Sequence, residues 1–145
     1  MITSINHMSF TVRDLDQAVR FYHEVLGLEI VSIAERPPEF SEKATGVKGA
    51  HLRIAYLKSL NGAIELIQYL APPGGKRIAA RNDVGSSHVC FNVADFSAMV
   101  QRLQKHNAQL VHPPLEIPAG PNQGKRMLYF EDPDGNTLEF IEVLP

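Results

Sequence analysis

Two histidines and two glutamates stand out for their types and spacing. His7 is followed 58 residues later by Glu65, and His88 is followed 51 residues later by Glu139. Each glutamate lies in a similar apolar run, Ala63-Ile64-Glu65-Leu66-Ile67 and Thr137-Leu138-Glu139-Phe140-Ile141. A turn pair precedes each run, Asn61-Gly62 in one case and Gly135-Asn136 in the other. Mixed imidazole and carboxylate donors suit Zn, Ni, Co, Mn or Fe(II) better than Ca or Mg, because hard cations prefer oxygen alone. Taken together, the four residues are expected to be the donors for one divalent metal ion.

The doubling extends beyond these four positions. A shift of 81 places carries His7, Phe10, Val12, Asp14 and Val19 onto His88, Phe91, Val93, Asp95 and Val100. Fixed self-similarity reveals the building unit before any propensity argument does. Here the unit is a module of about 60 residues, present twice. Both copies read as a strand, a helix and further strands. Ile5 to Val12 alternates, with Met8, Phe10 and Val12 on one face and His7, Ser9 and Thr11 on the other. Asp14 with Gln17 three residues on reads as a capping box. Ala18, Phe21, Tyr22, Val25 and Leu26 then follow at helical spacing up to Gly27, a C-terminal stop. In the second copy Asp95 caps a helix whose apolar face is Phe96, Met99, Val100 and Leu103. Further strands are expected at 30–34, 51–57, 63–70, 127–130 and 137–143.

Strand parity places the candidate ligands. If Ile64, Leu66, Leu138 and Phe140 pack under the helices, Glu65 and Glu139 project to the opposite face, as do His7 and His88. The same parity count assigns Ser9, Thr11, His51, Arg53, Ile67, Tyr69, Cys90, Asn92, Met127 and Tyr129 to that face. The expected substrate contacts are Arg53, Thr11, Tyr69, Asn92, Met127 and Tyr129. Arg53 is the expected anion anchor, since a guanidinium grips carboxylate or phosphate with two parallel hydrogen bonds.

Composition narrows the partners. A chain of 145 residues with 44% hydrophobic content can bury one core. A single domain is expected over 1–145, with modules at 1–70 and 88–145 joined by a Pro/Gly-rich linker at 71–87. A net charge of −2 with interspersed signs offers no basic stripe, so neither nucleic acid nor membrane is expected as a partner. No segment approaches the roughly 20 apolar residues of a membrane span, and a cytoplasmic location is expected. Cys90, the one cysteine, excludes an internal disulfide and a thiolate cluster.

The chain resembles the vicinal oxygen chelate superfamily, which includes glyoxalase I, methylmalonyl-CoA epimerase, extradiol dioxygenases and fosfomycin- or bleomycin-resistance proteins. The resemblance rests on His7, Asp14-Leu15-Asp16-Gln17-Ala18 with Phe21-Tyr22, Leu26-Gly27-Leu28, His88, and Glu131-Asp132-Pro133-Asp134-Gly135-Asn136 before Glu139. It implies an α+β fold of two βαβββ modules forming a cupped mixed sheet. It implies His7, Glu65, His88 and Glu139 as ligands, similar to the set of bacterial glyoxalase I, with Glu139 and Glu65 as proton carriers. The implied chemistry is that of a metal-dependent lyase or isomerase moving a proton next to a carbonyl through a metal-bound enediolate, on a small oxygen-chelating substrate. A homodimer is also implied, its ligands drawn from one chain or from both. Alternatives within the resemblance are a dioxygenase, an acyl-CoA epimerase, or a metal-free small-molecule binding or resistance protein. Thr11 and Tyr69 stand where glyoxalase I enzymes usually carry the Arg and Asn that serve glutathione, so the resemblance does not extend to that moiety.

Overall fold

The computed structural model describes residues 1–75 and 80–144. It divides into two compact units, Met1–Arg77 and Ile78–Pro145. The part of the expected linker at 76–79 lies outside the described residues.

The first unit runs β1 (Met8–Thr11), α1 (Leu15–Arg20), a π-helical turn (Phe21–Val25), β2 (Glu29–Arg36), α2 (Pro38–Thr45), β3 (His51–Lys58) and β4 (Ala63–Ala71). Its sheet has the order β1-β4-β3-β2, with β1 parallel to β4 and the other pairs antiparallel. The second unit runs β5 (Val89–Val93), α3 (Phe96–Lys105), β6 (Gln109–Leu110), β7 (Leu115–Glu116), β8 (Arg126–Glu131) and β9 (Thr137–Glu142). Its order is β5-β9-β8-β6, and β7 also pairs with β8. The architecture is therefore α+β with two mixed sheets, each a βαβββ arrangement to which α2 is added in the first unit and the short β7 in the second.

The caps form as the sequence dictates. The Asp14 side chain accepts from the Gln17 backbone N–H, and Asp95 accepts from that of Ala98. Each satisfies a donor that the first helical turn leaves without a partner. Beyond Arg20 the helix widens to π geometry, and Gly27 ends it at φ 79°, where its N–H reaches the His23 carbonyl at 3.0 Å. Leu15, Ala18, Val19, Tyr22 and Val25 are buried along this segment. In the second unit Phe96, Val100 and Leu103 of α3 are buried, as are Leu128, Phe130, Leu138 and Phe140 of the sheet.

Several expectations are corrected. The first strand begins at Met8, where the register with β4 starts; Ile5 is exposed and Met8 is 39% exposed. Strand β2 is longer than expected, at Glu29–Arg36. Helix α2 was not anticipated: Pro38 opens it, where a missing N–H costs nothing, and Gly46 closes it at φ 70°. Residues 109–110 and 115–116, outside the expected strands, form the two-residue strands β6 and β7.

Candidate functional site

Register decides which side chains share a face. In the first unit Ser9 pairs with Glu65 and Thr11 with Ile67. Across the antiparallel neighbour, Glu65 pairs with Tyr56, Ile67 with Ile54 and Tyr69 with Leu52. Thr11, Glu65, Ile67 and Tyr69 therefore share one face, and Tyr56, Ile54 and Leu52 join them. Glu65 is 8% exposed, and its Oε2 lies 3.3 Å from His7 Nε2. Its other oxygen, Oε1, accepts a short hydrogen bond from the Tyr56 hydroxyl. The Tyr56 ring also meets the His7 imidazole edge to face, with centroids 5.5 Å apart. This hydrogen bond to Glu65, with partial burial, raises the Tyr56 phenol above its ordinary value.

The second unit repeats the arrangement. Glu139 pairs with Cys90 on one side and Tyr129 on the other, so those two share its face, with Asn92 and Met127 across Ile141. Glu139 is 8% exposed, and its Oε2 lies 3.1 Å from His88 Nε2. The Tyr129 ring meets His88 edge to face at 5.1 Å. Each unit thus carries the same trio of His, Glu and Tyr, and the tyrosines occupy corresponding register positions.

The trios differ in how the glutamate is held. No hydroxyl hydrogen bond joins Tyr129 to Glu139 as Tyr56 joins Glu65. Burial comes first in raising the Tyr129 phenol, followed by the negative charge of Glu139. Cys90 lies beside Glu139; partial burial of its sulfur and that carboxylate push its thiol up to about 12, so it stays a neutral S–H. Tyr129 is instead fixed from its backbone: its N–H donates to His112 Nε2 at 3.2 Å, while His112 Nδ1 donates to the Pro113 carbonyl at 2.7 Å. His112 was assigned no role from the sequence, and this pairing places it against the Tyr129 ring at 5.8 Å.

The sequence assignment of Arg53 to the ligand face is corrected by the register. Arg53 pairs with Gln68, whose side chain accepts from the Leu15 backbone N–H at the start of α1. Arg53 accordingly faces the helix, where its guanidinium meets Asp16 at 2.9 and 3.0 Å. That bond holds the Asp16 carboxyl below the usual carboxylate range. His51 bonds Glu35, the strand partner of Arg53, at 3.0 Å.

The donor chemistry fits a divalent cation. Two ligand atoms each about 2.0–2.2 Å from one ion, at tetrahedral or octahedral angles, lie about 3.0–3.5 Å apart. The His7–Glu65 and His88–Glu139 separations match that spacing. Among the described residues no group of three or more His, Cys, Asp or Glu side chains forms one metal-holding cluster, so the feature on view is the pair. Asp132, 5% exposed, braces the turn that carries β8 into β9. Its carboxylate accepts from the backbone N–H of Asp134 and of Asn136 and from the Asn136 amide, at 2.8–2.9 Å.

Residues 4–140 match the family model described as Glyoxalase/Bleomycin resistance protein/Dioxygenase superfamily. The chain belongs to this superfamily. Among superfamily relatives, it is 32% identical to a 2-epi-5-epi-valiolone epimerase of Actinomyces sp., over 97% of this chain and 79% of that protein. It is 25% identical to the lactoylglutathione lyase of Haemophilus influenzae, over 95% of this chain and 91% of the lyase. A glyoxalase family protein from Bacillus cereus superposes with a TM-score of 0.87 at 30% identity, covering 100% of this chain and 97% of that one. The superfamily thus holds enzymes of different activities on one fold, and the chemistry of an individual member must be argued from its own site. No helix among the described residues is long and apolar enough to cross a membrane.

Proposed function

We propose that this protein is a divalent-metal-dependent lyase or isomerase that moves a proton next to a carbonyl of a small substrate offering two adjacent oxygens. The observation that carries this reading is the repetition of one His–Glu pair, at 3.3 and 3.1 Å, on the sheet face opposite α1 in one unit and α3 in the other. His7, Glu65, His88 and Glu139 together would hold one cation, Ni, Zn, Co, Mn or Fe(II), within one chain or across a homodimer. When bound, such an ion acts as a Lewis acid that makes the C–H beside a chelated carbonyl more acidic.

The chain's own residues divide the remaining work. The Tyr56 hydroxyl occupies Glu65 Oε1, which leaves Oε2 beside His7 Nε2 as the two atoms that would hold the cation. Glu65 is therefore the anchored carboxylate, and Tyr56 is its positioning residue. Glu139 has no tyrosine hydroxyl upon it; its neighbours are the His88 imidazole and the neutral Cys90 thiol, and it is the carboxylate that would carry the proton. Neutral Cys90 does not compete as a nucleophile or base. Thr11, Ile67 and Tyr69 in one unit, and Asn92, Met127 and Tyr129 in the other, supply the substrate side of each sheet.

The test is proton exchange. Dihydroxyacetone in D2O, followed by proton NMR, should lose its carbon-bound protons faster with metal-loaded protein than with buffer and metal alone. Glu139→Gln should reduce that enzyme rate by about 100-fold or more. A metal-loaded Glu139→Gln protein exchanging at the wild-type rate would remove Glu139 from its role.

A further inference from the structure

The register that removes Arg53 from the ligand face brings another arginine onto it. Arg36 ends β2 and pairs with Leu52, which in turn pairs with Tyr69. It therefore shares the face of Glu65 and Tyr56. Along β2 the residues on that face are Ser32, opposite Tyr56, and Ala34, opposite Ile54. Both are small and exposed, so nothing bulky on this strand stands between Arg36 and the Tyr56 position.

Arg36 also differs from other arginines in its partners. Arg53 is held by Asp16, Arg81 by Glu131 and Arg126 by Glu142. Arg36 has no carboxylate partner among the described residues. Its one hydrogen bond runs from Nη1 to the neighbouring Glu35 carbonyl at a long 3.4 Å. Its side chain is half-buried, and its positive charge is felt at the Tyr56 hydroxyl, the group that holds Glu65. A guanidinium carries five donors in a planar fork shaped for carboxylate or phosphate. Most of that fork is left open, on the side where substrate would lie.

We propose that Arg36 anchors the anionic group, carboxylate or phosphate, of a compact substrate whose two adjacent oxygens lie at the His7–Glu65 end of the same sheet face. The substrate class is thereby narrowed to hydroxy-carbonyl compounds carrying an acid group. This inference rests on the reading of that face as the substrate side.

Three probes share a hydroxyketone end: neutral dihydroxyacetone, dihydroxyacetone phosphate, and 5-hydroxy-4-oxopentanoate with its carboxylate. Each is titrated calorimetrically into metal-loaded wild type, Arg36→Gln and Arg53→Gln. In the wild type at least one charged probe should bind about tenfold or more tighter than the neutral one, the value of a charge-assisted hydrogen bond. Which of the two does so identifies the group. In Arg36→Gln the preference should fall to within about twofold, with dihydroxyacetone affinity and metal content unchanged. Arg53→Gln should keep the preference, since Asp16 already holds that side chain. Equal wild-type affinity for all three probes, or a preference that survives Arg36→Gln, overturns the proposal. If the protein takes up no metal, inorganic phosphate is titrated into it and the Arg36 Nε–H resonance is followed. A saturable shift keeps the anion site while the metal reading falls; no shift removes Arg36 from the site.

Discussion

Tyr56→Phe deletes one hydroxyl and leaves the ring that packs against His7 in place. What is lost is a single hydrogen bond onto the Oε1 atom of a nearly buried carboxylate. A hydrogen bond to a charged group contributes about 1.5–3 kcal/mol, which is about a 10- to 100-fold change in an equilibrium constant. Loss of a partner that orients a metal ligand costs metal affinity in the same range, about 10- to 100-fold. The Tyr129→Phe variant is the internal control, because Tyr129 sits at the corresponding register position but its hydroxyl does not bond Glu139. Its expected loss is no more than about threefold. The assay is competition for zinc against a fluorescent chelator of known affinity, with thermal unfolding of both metal-free variants to show that the fold is intact. Equal losses in the two variants, or full affinity in Tyr56→Phe, would refute the claim that the two glutamates are held differently.

Other predictions concern the frame around the site. Asp132→Ala removes three hydrogen bonds from the β8–β9 turn. It should destabilise the protein by about 2–4 kcal/mol in urea unfolding; a change under 1 kcal/mol would show that the turn holds without its aspartate. Leu103→Ala, at a fully buried position of α3, should cost about 2–5 kcal/mol by the same measurement, and a near-neutral result would contradict the packing described. Arg126 grips Glu142 at 2.6 and 2.9 Å, and this bond lowers the Glu142 carboxyl from its ordinary 4.5. A depressed folded-state value contributes stability that is present above about 4.5 and lost as pH falls through the lowered value. Urea midpoints of wild type and Glu142→Gln should therefore differ at pH 7 and converge in acid; a gap that persists at pH 2 would assign the effect to packing instead.

Much of the fold was legible because its signals are local. Asp14 and Asp95 sit at helix starts, and alternation in 63–67 and 137–141 marks strands with glutamate against the apolar grain. What the sequence misplaced was parity across a hairpin. Four residues, 59–62, separate β3 from β4, whereas five, 132–136, separate β8 from β9. An even loop pairs residues of opposite parity, and an odd loop pairs residues of like parity. Odd-numbered Tyr129 therefore meets Glu139, while Glu65 meets even-numbered Tyr56. One parity rule applied to both hairpins turned Arg53 to the wrong face and overlooked Tyr56 and Arg36. The signal that could have found Tyr56 is its spacing: nine residues before Glu65, against ten from Tyr129 to Glu139. That offset is the one-residue difference between the loops. Helix α2 has no counterpart in the second copy, so the repeat gave no hint of it. His112 lies between two short edge pairings with β8, those of β6 and β7, that no periodicity marks.

The proposal at the centre of this account is that His7, Glu65, His88 and Glu139 are ligands of one divalent cation. Its most direct test is the metal content of untagged protein purified without chelators, measured by plasma mass spectrometry alongside His7→Ala and Glu139→Ala. The account predicts close to one metal ion per chain in the wild type and near-complete loss in both variants, although each removes a ligand from a different unit. Wild-type protein that is empty and cannot be loaded, or metal retained in full by either variant, would contradict it.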